Sequence, residues 1–311
     1  MSDIDIGLLN KNHCIPGVLE FIEAEGGLPF ILIKNSSAKA KISLFGGQVL
    51  SFQPVERHEN LLFLSKLANY DGKKAIRGGV PVCWPWFGDD PDGLGRPSHG
   101  FARHSLWQVA STQTINDFAT RVILQLLPTP TSIAMWPYAF ELKLEITIAD
   151  TLTLELVTRN KGDKLFTISQ ALHAYFNIGD ISRVQILGLE NKRYFDKLDE
   201  GKQKQQLGAL KVSEEVDRIY TEVQNRLSID DPILGRQIKI VTTGSKTSVV
   251  WNPWAQTCAK MADLEPDDYQ RFICVEASKV EPDLIMVAPG EEHRMVVNYQ
   301  ILTISELGRL G

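Results

Sequence analysis

The 311-residue chain is 43% hydrophobic and 23% charged, the balance of a globular protein with enough apolar side chain to build its own core. Its 33 basic and 38 acidic side chains give a net charge of −5, which argues against nucleic acid as the partner, because gripping a phosphate backbone takes a broad basic surface. A small anion is still compatible, since a few arginines in one pocket can hold a phosphate on an acidic protein.

From the N-terminus, Met1 to Asn10 carries Asp3 and Asp5 and lacks a basic start followed by an apolar run, so no leader peptide is expected. No stretch reaches the roughly 18 apolar residues of a membrane span. Short alternating runs predict strands at 30–34, 40–44 and 121–127. A short helix is expected at 61–67. The segment 88–97, GDDPDGLGRP, is dense in Gly, Pro and Asp and predicts a surface loop. The clearest signal follows: Phe140, Leu142, Leu144, Ile146 and Ile148 share one parity, and after a turn at Ala149-Asp150 the alternation resumes with Leu152, Leu154 and Leu156. Two period-2 runs joined by a short turn predict an antiparallel hairpin. Further strands are expected at 168–176, 184–189, 238–242, 248–251, 272–277 and 295–304, with a polar exposed hairpin or loop at 197–210 and a second short helix at 267–272. Many short strands, weak helical periodicity and no internal repeat predict an all-β sandwich or barrel, with residues 1–311 forming a single domain.

Cys14, Cys83, Cys258 and Cys274 are far apart, without a C-x-x-C pair or clustered histidines. That pattern disfavours a zinc site or a disulfide framework and fits reduced, mostly buried thiols in the cytosol. No coiled-coil or self-association motif is present, so a cytoplasmic monomer is expected.

Four segments carry the chemistry. IRGGVPVCWPWFG (76–88) joins paired glycines, which permit close backbone approach, to Arg77 and to Trp84 and Trp86, whose flat faces suit a sugar. It also reads as core with one surface charge. PSHGFAR (97–103) brings Ser98, His99 and Arg103 together; His99 alone reads as structural, while a second arginine raises the case for an anion site. In 168–176, Ser169, Ala171, His173 and Tyr175 form a small polar face around one imidazole, opposite Ile168, Leu172 and Phe176. In FICVEAS (272–278), Glu276 is a carboxylate inside an apolar strand, either solvent-facing or buried and functional.

Taken together, IRGGVPVCWPWFG, SHGFAR, SQALHAYF, VDRIY around Asp217, VVWNPW and FICVEAS resemble the glucose-6-phosphate 1-epimerase family (the hexose-6-phosphate mutarotases), a branch of the aldose 1-epimerase superfamily. The likeness spans roughly Lys34 to Thr303. It implies a large antiparallel β-sandwich of the galactose mutarotase type and anomer interconversion without cofactor or metal. It carries acid/base roles onto His173 and Glu276, and substrate or phosphate contacts onto Arg77, Ser98, His99, Arg103 and Asp217. Ser98 stands where a larger polar residue such as Gln is common. On this reading Glu276 removes the C1 hydroxyl proton, while His173 can protonate the ring oxygen if nearby anions hold it charged. The alternatives are an epimerase of free sugars, which would share His173 and Glu276 but not need the arginines, and a non-catalytic carbohydrate-binding protein.

Overall fold

Alternation decides the longest hairpin. Phe140–Ile148 and Leu152–Asn160 run antiparallel, with Ile148 opposite Leu152 and Phe140 opposite Asn160. Every second residue from Phe140 to Ile148 is buried and those between are half-buried, as a sheet with one wet face requires. A computed structural model, which describes residues 4–303 and 306, extends this hairpin into an eight-stranded sheet. Across the sheet the order is Gln185–Leu187, Arg226–Asp231, Arg236–Thr243, Glu292–Thr303, Leu152–Asn160, Phe140–Ile148, Ala119–Leu126 and Gln108–Asn116.

The second large sheet has the order Lys202–Gln205, Arg193–Asp196, Val216–Tyr220, Thr247–Asn252, Phe272–Lys279, Gln170–Leu172 and Val82–Cys83, with Tyr175–Asn177 also paired to Phe272–Lys279. Its residues Ile273, Val275 and Ala277 join the same hydrophobic cluster as Leu154, Leu156, Ile238 and Val297 of the first sheet. Two antiparallel sheets thus bury their apolar faces against each other, which is a sandwich. A four-stranded sheet (Leu19–Glu23, Pro29–Lys34, Ala38–Ser43 and Gln48–Pro54) and a short ladder of Phe166–Ile168 with Ile285–Val287 complete it.

The strands expected at 30–34, 121–127, 238–242, 248–251 and 272–277 coincide with observed ones to within a residue or two, and 184–189 shortens to Gln185–Leu187. Ile304, the last residue of the 295–304 expectation, lies outside the described residues. The helix expected at 61–67 is not there. Leu62 and Leu64 instead make isolated bridges to Phe176 and Gly78, and Leu61, Leu62 and Phe63 are all buried. An apolar run with no polar face fits a buried extended segment as well as a helix, and here the strand partners decide. The 267–272 helix reduces to one 3-10 turn, Asp268–Gln270, which leads into the strand Phe272–Lys279. Short α-helices form at Ile6–His13, Pro130–Met135 and Trp254–Cys258; in the second of these the Thr129 hydroxyl accepts the Ser132 N–H at 3.1 Å as an N-cap.

Segment 88–97 is a loop, and it is pinned. Asp90 accepts the main-chain N–H groups of Leu94 (2.7 Å) and Arg96 (3.0 Å) and also the Arg96 guanidinium, which lies 4.4 Å from the centre of the Trp86 ring. Segment 197–210 begins with the 3-10 turn Lys197–Asp199 and continues as the exposed edge strand Lys202–Gln205.

Candidate active site

Register in the second sheet builds the site. Asp217 pairs with Trp251 and Ile219 with Val249; one strand further on, Val249 pairs with Glu276 and Trp251 with Cys274. On the other side of Phe272–Lys279, Leu172 pairs with Ala277 and Tyr175 with Cys274, which sets His173 level with Glu276. The expected continuous strand at 168–176 is broken into Phe166–Ile168, Gln170–Leu172 and Tyr175–Asn177. The break at His173 has a cause: its N–H turns to the Pro81 carbonyl (3.0 Å) and that of Tyr175 to the Gly79 carbonyl (2.9 Å). Gly79 has a φ of 62°, and a Cβ there would strike the Val49 carbonyl, so only glycine lets 76–88 lie so close to its neighbours. Gly100, at φ 73°, is held equally tightly over the Trp84 carbonyl.

Arg77, Ser98, His99, Arg103, His173, Asp217 and Glu276 all line one cavity of about 790 Å³. His173 Nε2 and Glu276 Oε1 lie 3.3 Å apart, with side chains only 10% and 1% exposed. Among the described residues neither Glu276 oxygen nor His173 Nδ1 has a hydrogen-bond partner. Burial pushes the Glu276 carboxyl well above its usual range, and Asp217 adds to the rise. Burial likewise drives the His173 imidazole well below its usual value, followed by His99, Arg103 and Arg77. Burial, Arg103 and Arg77 thus oppose a charge on His173, while Glu276 at 3.3 Å is the carboxyl that faces it. Burying a carboxyl without a partner costs several kcal/mol, on the order of what one mutation removes from a core.

The arginines come from different segments. Arg77 donates from Nη1 to the Tyr175 hydroxyl (2.8 Å) and from Nε to Asp263 (3.0 Å). Burial opposes its charge, but Tyr175 and Asp263 outweigh burial and the net shift is upward. Arg103 follows Ala102 in a 3-10 turn, donates to the Ser98 carbonyl at 2.8 Å and keeps a buried Nε without a partner among the described residues. His99, in the left-handed region at φ 61°, is held neutral with a pKa lowered to about 3 by burial and by Arg103 and Arg77. Ser98 is exposed, its hydroxyl 3.2 Å from the Gly88 carbonyl. Asp217 is raised to about 6 by burial against the opposing pull of Lys197. The result is a cavity lined by two arginines, a buried carboxyl–imidazole pair and the weakly acidic Asp217.

Trp84 is not a sugar platform. It is fully buried, and its indole N–H donates to Thr158 in the core at 3.0 Å. Trp86 does line the cavity, with its N–H on the Pro97 carbonyl at 2.9 Å. The aromatic wall that reading by residue type missed is Trp251, whose ring meets that of His173 edge-on at 6.1 Å. Its parity with Val249, opposite Glu276, was the available signal. Tyr175 and Lys197 also line the cavity and were not singled out as binding residues. Asp263, far away in sequence, carried no signal of its own. No group of three or more His, Cys, Asp or Glu side chains placed to hold a metal ion occurs among the described residues, and no helix among them is long and apolar enough to cross a membrane.

A family model described as aldose 1-epimerase matches residues 29–300 of the chain. A protein of Cenchrus ciliaris provisionally named glucose-6-phosphate 1-epimerase is 32% identical over 285 residues, covering 88% of this chain and 85% of that protein. An Escherichia coli (strain K12) protein with the same provisional name is 32% identical over 252 residues, 81% of this chain and 83% of its own. The crystal structure of a provisionally assigned mutarotase from Salmonella typhimurium superposes with a TM-score of 0.87 at 29% identity, covering 95% of this chain and 99% of that one. With the match reaching from the Pro29–Lys34 strand to the last long strand of the sandwich, and with relatives this similar over most of their own length, the chain belongs to the aldose 1-epimerase family.

Proposed function

We propose that this protein interconverts the α and β anomers of hexose 6-phosphates, chiefly glucose 6-phosphate, with Glu276 and His173 as the proton-transfer pair and Arg77 and Arg103 on the phosphate. One observation carries the reading. A carboxyl 1% exposed, with both oxygens unpartnered among the described residues, faces an imidazole at 3.3 Å inside a cavity walled by two arginines. A carboxyl left so is unfavourable for folding, and a sugar hydroxyl is the donor it lacks.

Anomers exchange by opening of the pyranose. The C1 hydroxyl loses its proton, the ring oxygen gains one, the C1–C2 bond rotates, and closure on the other face of the aldehyde reverses both transfers. The pair holds the single proton this needs. When the C1 hydroxyl donates to Glu276, it favours the carboxylate, and the carboxyl proton passes over 3.3 Å to His173. Glu276 is then the base and His173 the acid; on closure the roles swap, so no net proton is consumed. Positioned acid/base groups contribute about 10²- to 10⁴-fold each. Asp217 and His99 contact the sugar hydroxyls, Ser98 frames the phosphate end, and the rings of Trp251 and Trp86 give the pyranose its apolar walls. The arginines favour this reading over a free-sugar epimerase, since neither is needed for a neutral hexose. The chain acts as a single unit on a small-molecule substrate, without metal or cofactor.

The test is polarimetric. The protein should hasten equilibration of α-glucose 6-phosphate well above its spontaneous rate and act far less on α-glucose. Equal acceleration of the two sugars would favour the free-sugar epimerase, and none of either would favour a binding protein.

A further inference from the structure

His173 is held by rings rather than by hydrogen bonds. Among the described residues its Nδ1 has no partner, and its Nε2 has Glu276 at 3.3 Å. A histidine that works on one proton needs its plane fixed, and three rings do this. The Tyr175 phenol lies nearly parallel to the imidazole, 5.0 Å between centres and 12° between planes. His99 (5.9 Å, 67°) and Trp251 (6.1 Å, 77°) close the sides edge-on. Tyr175 is 2% exposed and so has little room to move without moving its neighbours.

The same tyrosine reaches the other function of the site. Its hydroxyl accepts from Arg77 Nη1 at 2.8 Å, and Arg77 Nε is tied to Asp263 at 3.0 Å. Asp263, Arg77, Tyr175 and His173 therefore form one unbroken line of contacts from the anion-binding wall to the proton-transfer pair.

We propose that Tyr175 is a positioning residue that couples the two: an anion gripped by Arg77 fixes the guanidinium, the guanidinium fixes the phenol, and the phenol fixes the plane of His173. The phosphate then serves as more than a handle, because its presence orders the acid/base geometry. This rests on the epimerase reading and deepens it.

The experiment cuts the substrate in two. Anomerisation of α-glucose is measured with and without inorganic phosphite, beside glucose 6-phosphate as the whole substrate. In the wild-type protein phosphite should raise glucose turnover by about 10- to 150-fold, the range of one charge-assisted contact. Tyr175→Phe keeps the stacked ring and loses the Arg77 contact, so its ratio of rates with and without phosphite should fall close to one. Its loss on glucose 6-phosphate should appear in kcat more than in KM. Tyr175→Leu, which loses the stack as well, should have a lower kcat than Tyr175→Phe. A merely structural tyrosine would lower both glucose rates together and leave their ratio alone. An unchanged ratio in Tyr175→Phe, or a wild-type protein that turns over glucose 6-phosphate yet ignores phosphite, would overturn the coupling while leaving the epimerase reading intact. A wild-type protein inactive on glucose 6-phosphate would overturn the reading itself.

Discussion

Truncating the two arginines should have unequal consequences, and the structure says which is worse. A charge-assisted contact to phosphate is worth about 1.5–3 kcal/mol, so Arg103→Ala should weaken glucose 6-phosphate by roughly 10- to 150-fold. Arg103 leaves little behind, since its guanidinium donates to a main-chain carbonyl, that of Ser98. Arg77 is different. It shields Asp263, whose side chain is 25% exposed, at 3.0 Å. Removing the guanidinium takes away one attraction and also uncovers a carboxylate beside the phosphate, adding up to about 1 kcal/mol, or about fivefold. Arg77→Ala should therefore be the weaker binder, and Arg77→Ala with Asp263→Ala should recover that extra loss. Replacing either arginine by Lys should restore only part, because an ammonium lacks the planar fork. The assay is kcat/KM for glucose 6-phosphate and for glucose with each folded variant. Equal losses on both sugars, tracking a fall in Tm, would show that the arginines only brace the loops and would refute the phosphate assignment.

Two further outcomes follow from Asp217 and the tryptophans. Burial raises Asp217 to about 6, above its ordinary 3.8, so the folded state binds the proton more tightly than the unfolded one. This contribution leaves stability intact below pH 3.8 and removes it as pH rises through 6. Asp217→Asn should thus be more stable than wild type at pH 7–8, by on the order of 1–3 kcal/mol and with a higher Tm, the gap closing at low pH. KM of the wild type should rise as pH falls through about 6, and Asp217→Asn should show a smaller rise, the part left by the titration of the substrate phosphate; a pH profile identical to wild type would take Asp217 out of the site. Trp84→Ala empties a core position and should cost about 3–5 kcal/mol of stability. Trp251→Ala should instead raise KM with a smaller stability loss, and the reverse pattern would return Trp84 to the sugar.

Side-chain type and parity made the polar half of the site legible. Ser169, Ala171, His173 and Tyr175 share a parity, and Glu276 stands alone in an apolar strand, where the pattern left a solvent-facing and a buried carboxyl equally open; the acid/base roles came from the family resemblance. What the pattern could not carry is the break at His173, because the Pro81 and Gly79 carbonyls that cause it belong to a segment about ninety residues earlier. Trp84 and Trp86 looked alike for a related reason: two residues apart in one segment, they are separated by whether Thr158 or the Pro97 carbonyl receives the indole. The strand Gln108–Asn116 was silent because it is the polar outer edge of its sheet, where no apolar alternation is required. Helix Ile6–His13 was silent too, since none of its residues is buried. Segment 88–97 read correctly as a loop, but the Asp90–Arg96 clamp that stiffens it depends on a turn that composition does not specify.

The most direct test of the account is the turnover of glucose 6-phosphate by Glu276→Gln, measured with its melting temperature. Gln keeps the shape and removes the base, so kcat should fall by about two to four orders of magnitude. Tm should hold or rise, because an unpartnered carboxyl no longer has to be buried. His173→Asn should lose a similar factor in kcat. Near wild-type turnover in the folded Glu276→Gln protein would contradict the assignment of Glu276 to the chemistry.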